Sequence, residues 1–262
     1  MITLKSSSEF KKMRTAGACV GAVHEAMKLL AVPGATTREL DAAAYDIIHD
    51  QGCTPSFLGY LGYEASICAS PNSVVVHGIP GDYALADGDV ITVDVGAIFQ
   101  GWHGDAAVAL GVGDISDEDR RLIDVTERAM WAGLAAARPG NRVGDISAAV
   151  QAVGDQAGFG IVREYVGHGI GKNMHEDPQI PNYGEGDKGL KLREGMALCV
   201  EPMFNAGAEE TAVLDDGWTV VTLDGSRSCH WEHTVALTPD GMVVTTVPAG
   251  ANTDLALLLQ RA

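Results

Sequence analysis

The chain repeats itself, and both copies of the repeat end an apolar strand on a carboxylate. Pro33-Gly34 followed by ATTRELDAAAYDIIHDQG lies over Pro139-Gly140 followed by NRVGDISAAVQAVGDQAG at an offset of 106 residues. Ala42, Ala43 and Gly52 fall on Ala148, Ala149 and Gly158. An internal repeat constrains architecture more tightly than any local propensity. Each copy reads as a helix, a Pro-Gly break and a second, alanine-rich helix that stops at a glycine, where a left-handed C-cap carries no steric penalty. A strand follows: LADGDVITVD (Leu85 to Asp94) matches LREGMALCVE (Leu192 to Glu201) at an offset of 107. Farther on, DAAVAL (Asp105 to Leu110) matches EHTVAL (Glu232 to Leu237) at an offset of 127. The extra residues of the second copy surround DGWTVVTLDGSRS and read as a longer hairpin.

No Pro- or Ser-rich linker separates the copies. The expected architecture is therefore α+β: one domain over residues 1–262, with pseudo-symmetric halves of about 1–112 and 113–262, antiparallel strands inside and helices outside. With 262 residues and 46% apolar content, such a chain can bury roughly 70 to 75% of its unfolded surface, which excludes a disordered protein or a disulfide-stapled miniature. Thirty-five acidic residues against 18 basic ones give a net charge of -17, which opposes a nucleic-acid backbone. No DNA partner is expected. MITLKSSSEFKKM lacks the apolar core of a signal peptide, and no apolar run approaches the 18 residues that span a bilayer. Cys19, Cys53, Cys68, Cys199 and Cys229 show no metal or redox spacing and read as reduced thiols. A cytoplasmic protein without membrane contact is expected.

Asp94, Asp105, Glu201 and Glu232 form two repeat-related pairs inside apolar strand contexts. If the symmetry axis gathers them, two like charges 4 Å apart repel by about 4 kcal/mol at an effective dielectric near 20. Something cationic must then sit among them, and the sequence supplies no Lys or Arg between Val90 and Ala109. Two divalent metal ions meet that need, since oxygen-rich sites with paired metals are a known hydrolytic device. Among the histidines, His168 in VGHGIG is the candidate metal ligand, because its flanking glycines let backbone and ligand approach closely. His77 in VVVHGIP and His175 in MHEDPQIP are candidates for supporting or substrate-facing roles. His24 and His49 lie in helices and read as structural. His103, His230 and His233 stand near acids in sequence, but His233 points away from the Glu232 face by strand alternation.

In their order along the chain, LGYLGY, NSVVVHGIP, VDVG, GWHGDAA, GHGIG, MHEDPQIPNYG, EGMALCVEPM, DGWTV and WEHTVAL resemble the type I methionine aminopeptidases over nearly the whole sequence. That resemblance implies the pita-bread fold and removal of an N-terminal methionine preceding a small residue. Carried over residue by residue, it implies five metal ligands. Asp105 and Glu232 would bridge two divalent ions, Asp94 would complete one site, and His168 with Glu201 the other. Oxygen donors with one imidazole accept cobalt, manganese, iron and others. By the same correspondence His77 and His175 contact substrate, the latter at the scissile carbonyl, and Glu201 handles the proton of the attacking water. Phe57, Tyr60, Tyr63, Cys68, His77 and Trp218 would wall the methionine pocket, whose aromatic and sulfur surfaces suit a thioether.

Three places depart from the family pattern and touch the pocket or its rim. Phe57 stands where a smaller residue is common, Glu64 replaces a frequent proline, and His230-Trp231 replaces a Gln followed by Tyr or Phe. The rival proline-specific peptidases carry an extra N-terminal domain, and only 76 residues precede His77. A type II enzyme inserts a helical subdomain between the last two acids, which here lie 31 residues apart. Implied partners are N-terminal methionine peptides and nascent chains, with transient ribosome contact through Lys5, Lys11, Lys12 and Arg14. A monomer is expected.

Overall fold

A computed structural model describes residues 2–260. In the first half, α1 (Ser7–Leu30) and α2 (Thr37–Asp50) flank the Pro33-Gly34 break. They lead into β1 (Thr54–Pro55), β2 (Ile67–Pro71), β3 (Val74–Val76), β4 (Val90–Phe99) and β5 (Trp102–Gly111). The second half repeats the helix pair as α3 (Asp117–Ala136) and α4 (Val143–Ala157). Next come β6 (Gly160–Ile161), β7 (Gly167–Gly169), β8 (Glu176–Ile180), β9 (Ala197–Val200) and β10 (Met203–Asn205). The chain continues through β11 (Thr211–Val213), β12 (Val220–Thr222), β13 (Ser228–His230), β14 (His233–Thr238) and β15 (Gly241–Val244) to α5 (Leu255–Leu258).

Local chemistry sets the element ends. The Thr36 hydroxyl accepts the Glu39 N–H at 3.2 Å while the Glu39 carboxylate accepts the Thr36 N–H at 2.8 Å, a reciprocal cap that starts α2. Gly34 and Gly140 take the left-handed region with φ of 93° and 99°, as do Gly52 and Gly158 past the ends of α2 and α4. The repeat extends to hydrogen bonds. Gly34 N–H donates to Leu85 O at 2.7 Å and Gly140 N–H to Leu192 O at 3.0 Å; Leu85 N–H reaches Ala35 O and Leu192 N–H reaches Asn141 O.

The strands β4 and β5 form one long hairpin, registered from Val90↔Gly111 to Phe99↔Trp102. Its turn residues, Gln100 and Gly101, both have positive φ, as a tight turn matched to strand twist requires. Strands β1 and β2 pair with β4, while β15-β14-β9-β7-β8 make a five-stranded sheet in the second half. Strands β13-β10-β6 and β11-β12-β3 form two smaller sheets. The longer excursion of the second copy is the β11–β12 hairpin, registered from Thr211↔Thr222 to Val213↔Val220.

Each helix pair covers its own sheet. Val20, Met27, Leu40 and Ile48 pack on Ile91, Val93 and Val95 in the first half. Leu122, Met130, Leu134 and Ile146 pack on Leu198, Phe204 and Val235 in the second. The halves join where β5 meets the start of β14. Ala107 N–H donates to Glu232 O at 3.3 Å and Glu232 N–H to Ala107 O at 2.9 Å. The Thr234 hydroxyl donates to Asp105 O at 2.7 Å and accepts the Asp105 N–H at 3.3 Å.

Helix α1 lies directly on β5. A Cβ at Gly104 would stand 2.6 Å from Gly17 N and 2.8 Å from Gly17 Cα, both backbone atoms that cannot turn aside. Gly104→Ala is expected to destabilise the protein by about 1 to 3 kcal/mol, the usual range for overpacking. The readout is a lower urea midpoint at unchanged slope; an unchanged midpoint would mean that α1 does not sit this close.

The basic N-terminal cluster is not one surface patch. Lys5 is buried against Glu176 at 2.8 Å, and Arg14 donates to the backbone carbonyls of Thr245, Val247 and Pro248. Of the four, Lys11 is exposed and Lys12 half-buried. All five cysteines are buried and free. No helix among the described residues is long and apolar enough to cross a membrane.

Candidate active site

Strand register gathers the carboxylates. Cys68 is paired with Asp94 and Asp94 with Ala107, Ala107 exchanges backbone bonds with Glu232, and β14 pairs with β9 as far as His233↔Val200. Glu232 and Glu201 stand one step beyond that pair. Directly opposed residues share a face, and Asp105, two residues from Ala107, shares it too. Residues far apart in sequence thus form one row across the junction of the halves. Strand β7 lies beside β9, with Gly169 opposite Leu198, and brings His168 to the same place.

The row opens into a cavity of about 260 Å³. Phe57, Tyr60, Tyr63, Cys68, His77, Asp94, Asp105, His168, His175, Glu201, Trp218 and Glu232 all line it, so every site residue expected from the sequence comes to one place. At one end Phe57, Tyr63, Cys68 and Met174 form a buried apolar cluster, with Tyr60 and Trp218 packed against it. His77, held at φ 60°, sets its ring edge-on to Trp218 and Tyr165. A non-glycine residue there carries local strain.

At the other end the donor atoms converge. His168 Nε2 lies 3.4 Å from Glu201 Oε1 and 3.9 Å from Asp105 Oδ2. His168 Nδ1 donates to Gly169 O at 2.9 Å, which leaves the Nε2 lone pair facing the acids. His175 stacks its ring edge-on to that of His168, 4.4 Å between centroids, and Tyr60 Oη meets His175 Nδ1 at 2.8 Å.

Two residues outside the expected ligand set stand close to it; His230 is among the departures from the family pattern at the pocket, whereas Cys199 reads from the sequence only as a reduced thiol. His230 lines the cavity, and Cys199 offers its thiol within 4.8 Å of ligand atoms on Asp105, His168 and Glu232. The signal for both was the two-residue period of a strand. Cys199 precedes Glu201 by two, and His230 precedes Glu232 by two. Four histidines lie elsewhere, His24 among them buried in α1. His103 Nδ1 meets Ser56 Oγ at 2.9 Å, His49 bonds its own helix, and His233 turns toward Thr246 and Trp131, away from the cavity as alternation requires.

No Lys or Arg lines the cavity among the described residues. Burial holds the carboxyl groups of Asp94, Asp105, Glu201 and Glu232 above the ordinary range. Neighbouring carboxylates add to this, Glu232 acting on Asp105 and Glu201 on Glu232. Burial also depresses His168 to about 3 and His77 to about 4, keeping both imidazoles neutral. Asp94 Oδ1, Asp105 Oδ1 and Glu232 Oε1 are buried without a hydrogen-bond partner. Bare buried carboxylate oxygens are costly unless a cation meets them, so this donor set fits divalent metal.

A pH signature follows. Carboxyls raised in the folded state bind more protons there than in the unfolded chain, so their contribution to stability falls as pH rises toward the folded value. The buried histidines act oppositely, but most of their effect falls below pH 7, around and under the unfolded pKa of about 6.5, and it fades between pH 7 and 8. Between pH 7 and 8 the metal-free protein is therefore expected to lose about 1.4 kcal/mol of stability per pH unit for each carboxyl protonated only when folded. Excess manganese should abolish the slope. Thermal melts with and without metal test this; a metal-free protein that grows more stable from pH 7 to 8 contradicts it.

A model of metallopeptidase family M24 matches residues 11–239. The chain is 49% identical over 246 residues to Methionine aminopeptidase 1 of Bacillus subtilis, covering 94% of this chain and 99% of that protein. It is similar to the crystal structure of a methionine aminopeptidase from Thermotoga maritima, with a TM-score of 0.93 and 41% identity over 94% of this chain and 100% of that one. A prolidase from Pyrococcus furiosus shares the fold alone, with a TM-score of 0.74 and 21% identity over 93% of this chain and 65% of that one.

Proposed function

The chain belongs to metallopeptidase family M24, among the methionine aminopeptidases, and from that premise we propose that it removes the N-terminal methionine of peptides and nascent chains whose second residue is small. Its pita-bread fold is shared with the methionine aminopeptidases and with prolidase. The observation that carries the reading is the cavity itself, a bare carboxylate and imidazole cluster at one end and an apolar slot at the other. Such a slot suits an unbranched thioether side chain. Asp94, Asp105, His168, Glu201 and Glu232 would hold two divalent ions of the cobalt, manganese or iron class. When bound, the ions supply Lewis acidity and lower the proton cost of forming the attacking nucleophile.

The remaining steps belong to side chains. Phe57, Tyr63, Cys68 and Trp218 take the methionine side chain, with Tyr60 and His77 closing the slot. The Tyr60 hydroxyl, donating to His175 Nδ1, leaves the ring hydrogen on Nε2, which then donates to the oxyanion developing on the scissile carbonyl. Glu201 takes the proton of the attacking water and returns it to the leaving amine. Because ligands and slot divide between the two halves, residues 1–262 act as one catalytic domain. We place the enzyme in the cytoplasm as a monomer, and narrow any transient ribosome contact at the N-terminal cluster to Lys11 and Lys12.

The deciding experiment is hydrolysis of Met-Ala-Ser beside Met-Lys-Ser, Leu-Ala-Ser and Ala-Pro-Ser by chelator-stripped protein reconstituted with each metal. Metal-dependent release from Met-Ala-Ser alone is expected. Preference for Ala-Pro-Ser would move the enzyme to the proline-specific branch, and silence with every metal would leave a binding protein.

A further inference from the structure

The loop between β7 and β8 carries two parts of the cavity wall, Met174 and His175, and they are held differently. Met174 is buried among Phe57, Tyr63, Ala65 and Cys68, an apolar anchor of its own. His175 is exposed on its loop, and its ring meets Tyr60 Oη at one nitrogen and the ring of His168 edge-on. The direction of that ring depends on the backbone that carries it. The next residue, Glu176, begins β8 opposite Gly169 and turns its carboxylate away from the cavity, toward the first residues of the chain.

There it is clamped. Glu176 Oε1 accepts the Asn173 N–H of the same loop at 3.2 Å, while Oε2 accepts Lys5 Nζ at 2.8 Å and the Thr3 hydroxyl. Lys5 Nζ also donates to Thr3 Oγ1 at 2.9 Å and to Thr3 O at 3.3 Å, so all three ammonium hydrogens find acceptors. Burial raises the Glu176 carboxyl, but the bonds from Lys5 and Thr3 outweigh it and hold the group below its ordinary range. The packing is close, since a Cβ at Gly171 would stand 2.6 Å from Glu176 Oε1 and 2.7 Å from Lys5 Cε. The N-terminal segment is itself tied down. Lys5 N–H donates to Gly195 O at 2.7 Å, Gly195 N–H donates to Leu237 O of β14 at 2.8 Å, and α1 begins two residues after Lys5.

The side chains of Lys5 and Glu176 are only 2% and 6% exposed. A pair so buried is a weak source of stability, because desolvation offsets the attraction. What a fully satisfied polar network supplies is one fixed geometry. We propose that Lys5 is a positioning residue for the aminopeptidase reaction: by clamping Glu176 against the 171–176 loop, with Thr3 completing the clamp, it sets the direction in which His175 presents its ring N–H to the scissile carbonyl, an inference that rests on His175 as the oxyanion donor.

The test uses metal-loaded enzyme and Met-Ala-Ser. Lys5→Met, which keeps an apolar stem and removes the ammonium, is expected to lower kcat about 10-fold, within the loss that a small misplacement of a reacting group causes. KM should stay within about 3-fold of the parent, because Met174 and the slot are anchored separately. In a His175→Ala background the same substitution should cost less than about 2-fold, there being no donor left to aim. An enzyme merely part-unfolded would lose the same fraction in both backgrounds. Thr3→Val, which keeps the ion pair and removes one hydroxyl, should lower kcat about 3-fold, and an unchanged kcat there overturns the assignment should Lys5→Met fail to fold. A folded Lys5→Met enzyme with kcat within about 2-fold of the parent, a loss confined to KM, equal losses in both backgrounds, or a lowered affinity for manganese by calorimetry would each overturn it as well. Failure of the underlying reading looks different, since the parent would then leave Met-Ala-Ser intact, or His175→Ala alone would keep its kcat.

Discussion

Asp105→Asn is expected to lower kcat/KM for Met-Ala-Ser by more than about 1000-fold, a loss of about 4 kcal/mol of transition-state stabilisation, and to raise the stability of the metal-free protein. Both effects come from one position. Asp105 is almost fully buried, its carboxyl meets those of Asp94 and Glu232, and His168 Nε2 lies 3.9 Å away. Asparagine keeps the shape and both backbone bonds to Thr234. It loses the charge, and one of its two terminal atoms becomes a donor that no metal accepts. Without metal, removing one acid from a cluster of four relieves repulsion worth up to a few kcal/mol. The two readouts must move in opposite directions: calorimetric metal titration and hydrolysis fall, while the metal-free melting temperature at pH 8 rises. Activity within 10-fold of the parent, or a lower metal-free melting temperature, would refute a shared metal site here. A site assembled at the expense of apo stability is the ordinary trade between function and folding.

The same residues show what the sequence could and could not carry. Two Pro-Gly breaks with matched alanine-rich helices specify a repeat, and the repeat specifies which acids correspond, although Asp94 and Asp105 lie inside β4 and β5 while Glu201 and Glu232 flank the ends of β9 and β14. Gly34 and Gly140 take nearly the same φ since both break the chain between the same two helices. Alternation along a strand separated Glu232 from His233 correctly. The same period sets Cys199 with Glu201 and His230 with Glu232, but alternation names a face and not a neighbour. Only the register of β13 against β10 and of β14 against β9 turns those faces toward one cavity. The N-terminal bases show the converse. Lys5, Lys11, Lys12 and Arg14 are near one another in sequence, yet Lys5 meets Glu176 and Arg14 meets carbonyls near residue 247, partners that no local pattern contains. Charge proximity in sequence is a weak guide where long side chains can turn inward.

His175→Ala is expected to reduce kcat for Met-Ala-Ser by about 100- to 1000-fold, the usual loss for one oxyanion donor, with KM changed by no more than about 3-fold. The split between the two constants is the argument. A donor aimed at the developing oxyanion acts in the transition state, whereas the slot formed by Phe57, Tyr63, Cys68 and Trp218 holds the ground state as well. His175 suits the task because burial lowers its pKa, so the ring is uncharged at neutral pH and presents one N–H without having to shed a proton. Tyr60 decides which nitrogen carries that hydrogen, through its 2.8 Å contact with Nδ1. Tyr60→Phe should therefore lower kcat too, by about 10-fold, the value of one hydrogen bond that fixes a tautomer. Combining the two substitutions should add little to His175→Ala alone, because the phenol acts through the imidazole. Multiplicative losses in the double variant would separate the residues, and a loss confined to KM would make His175 a wall of the slot instead of a donor to the reacting carbonyl.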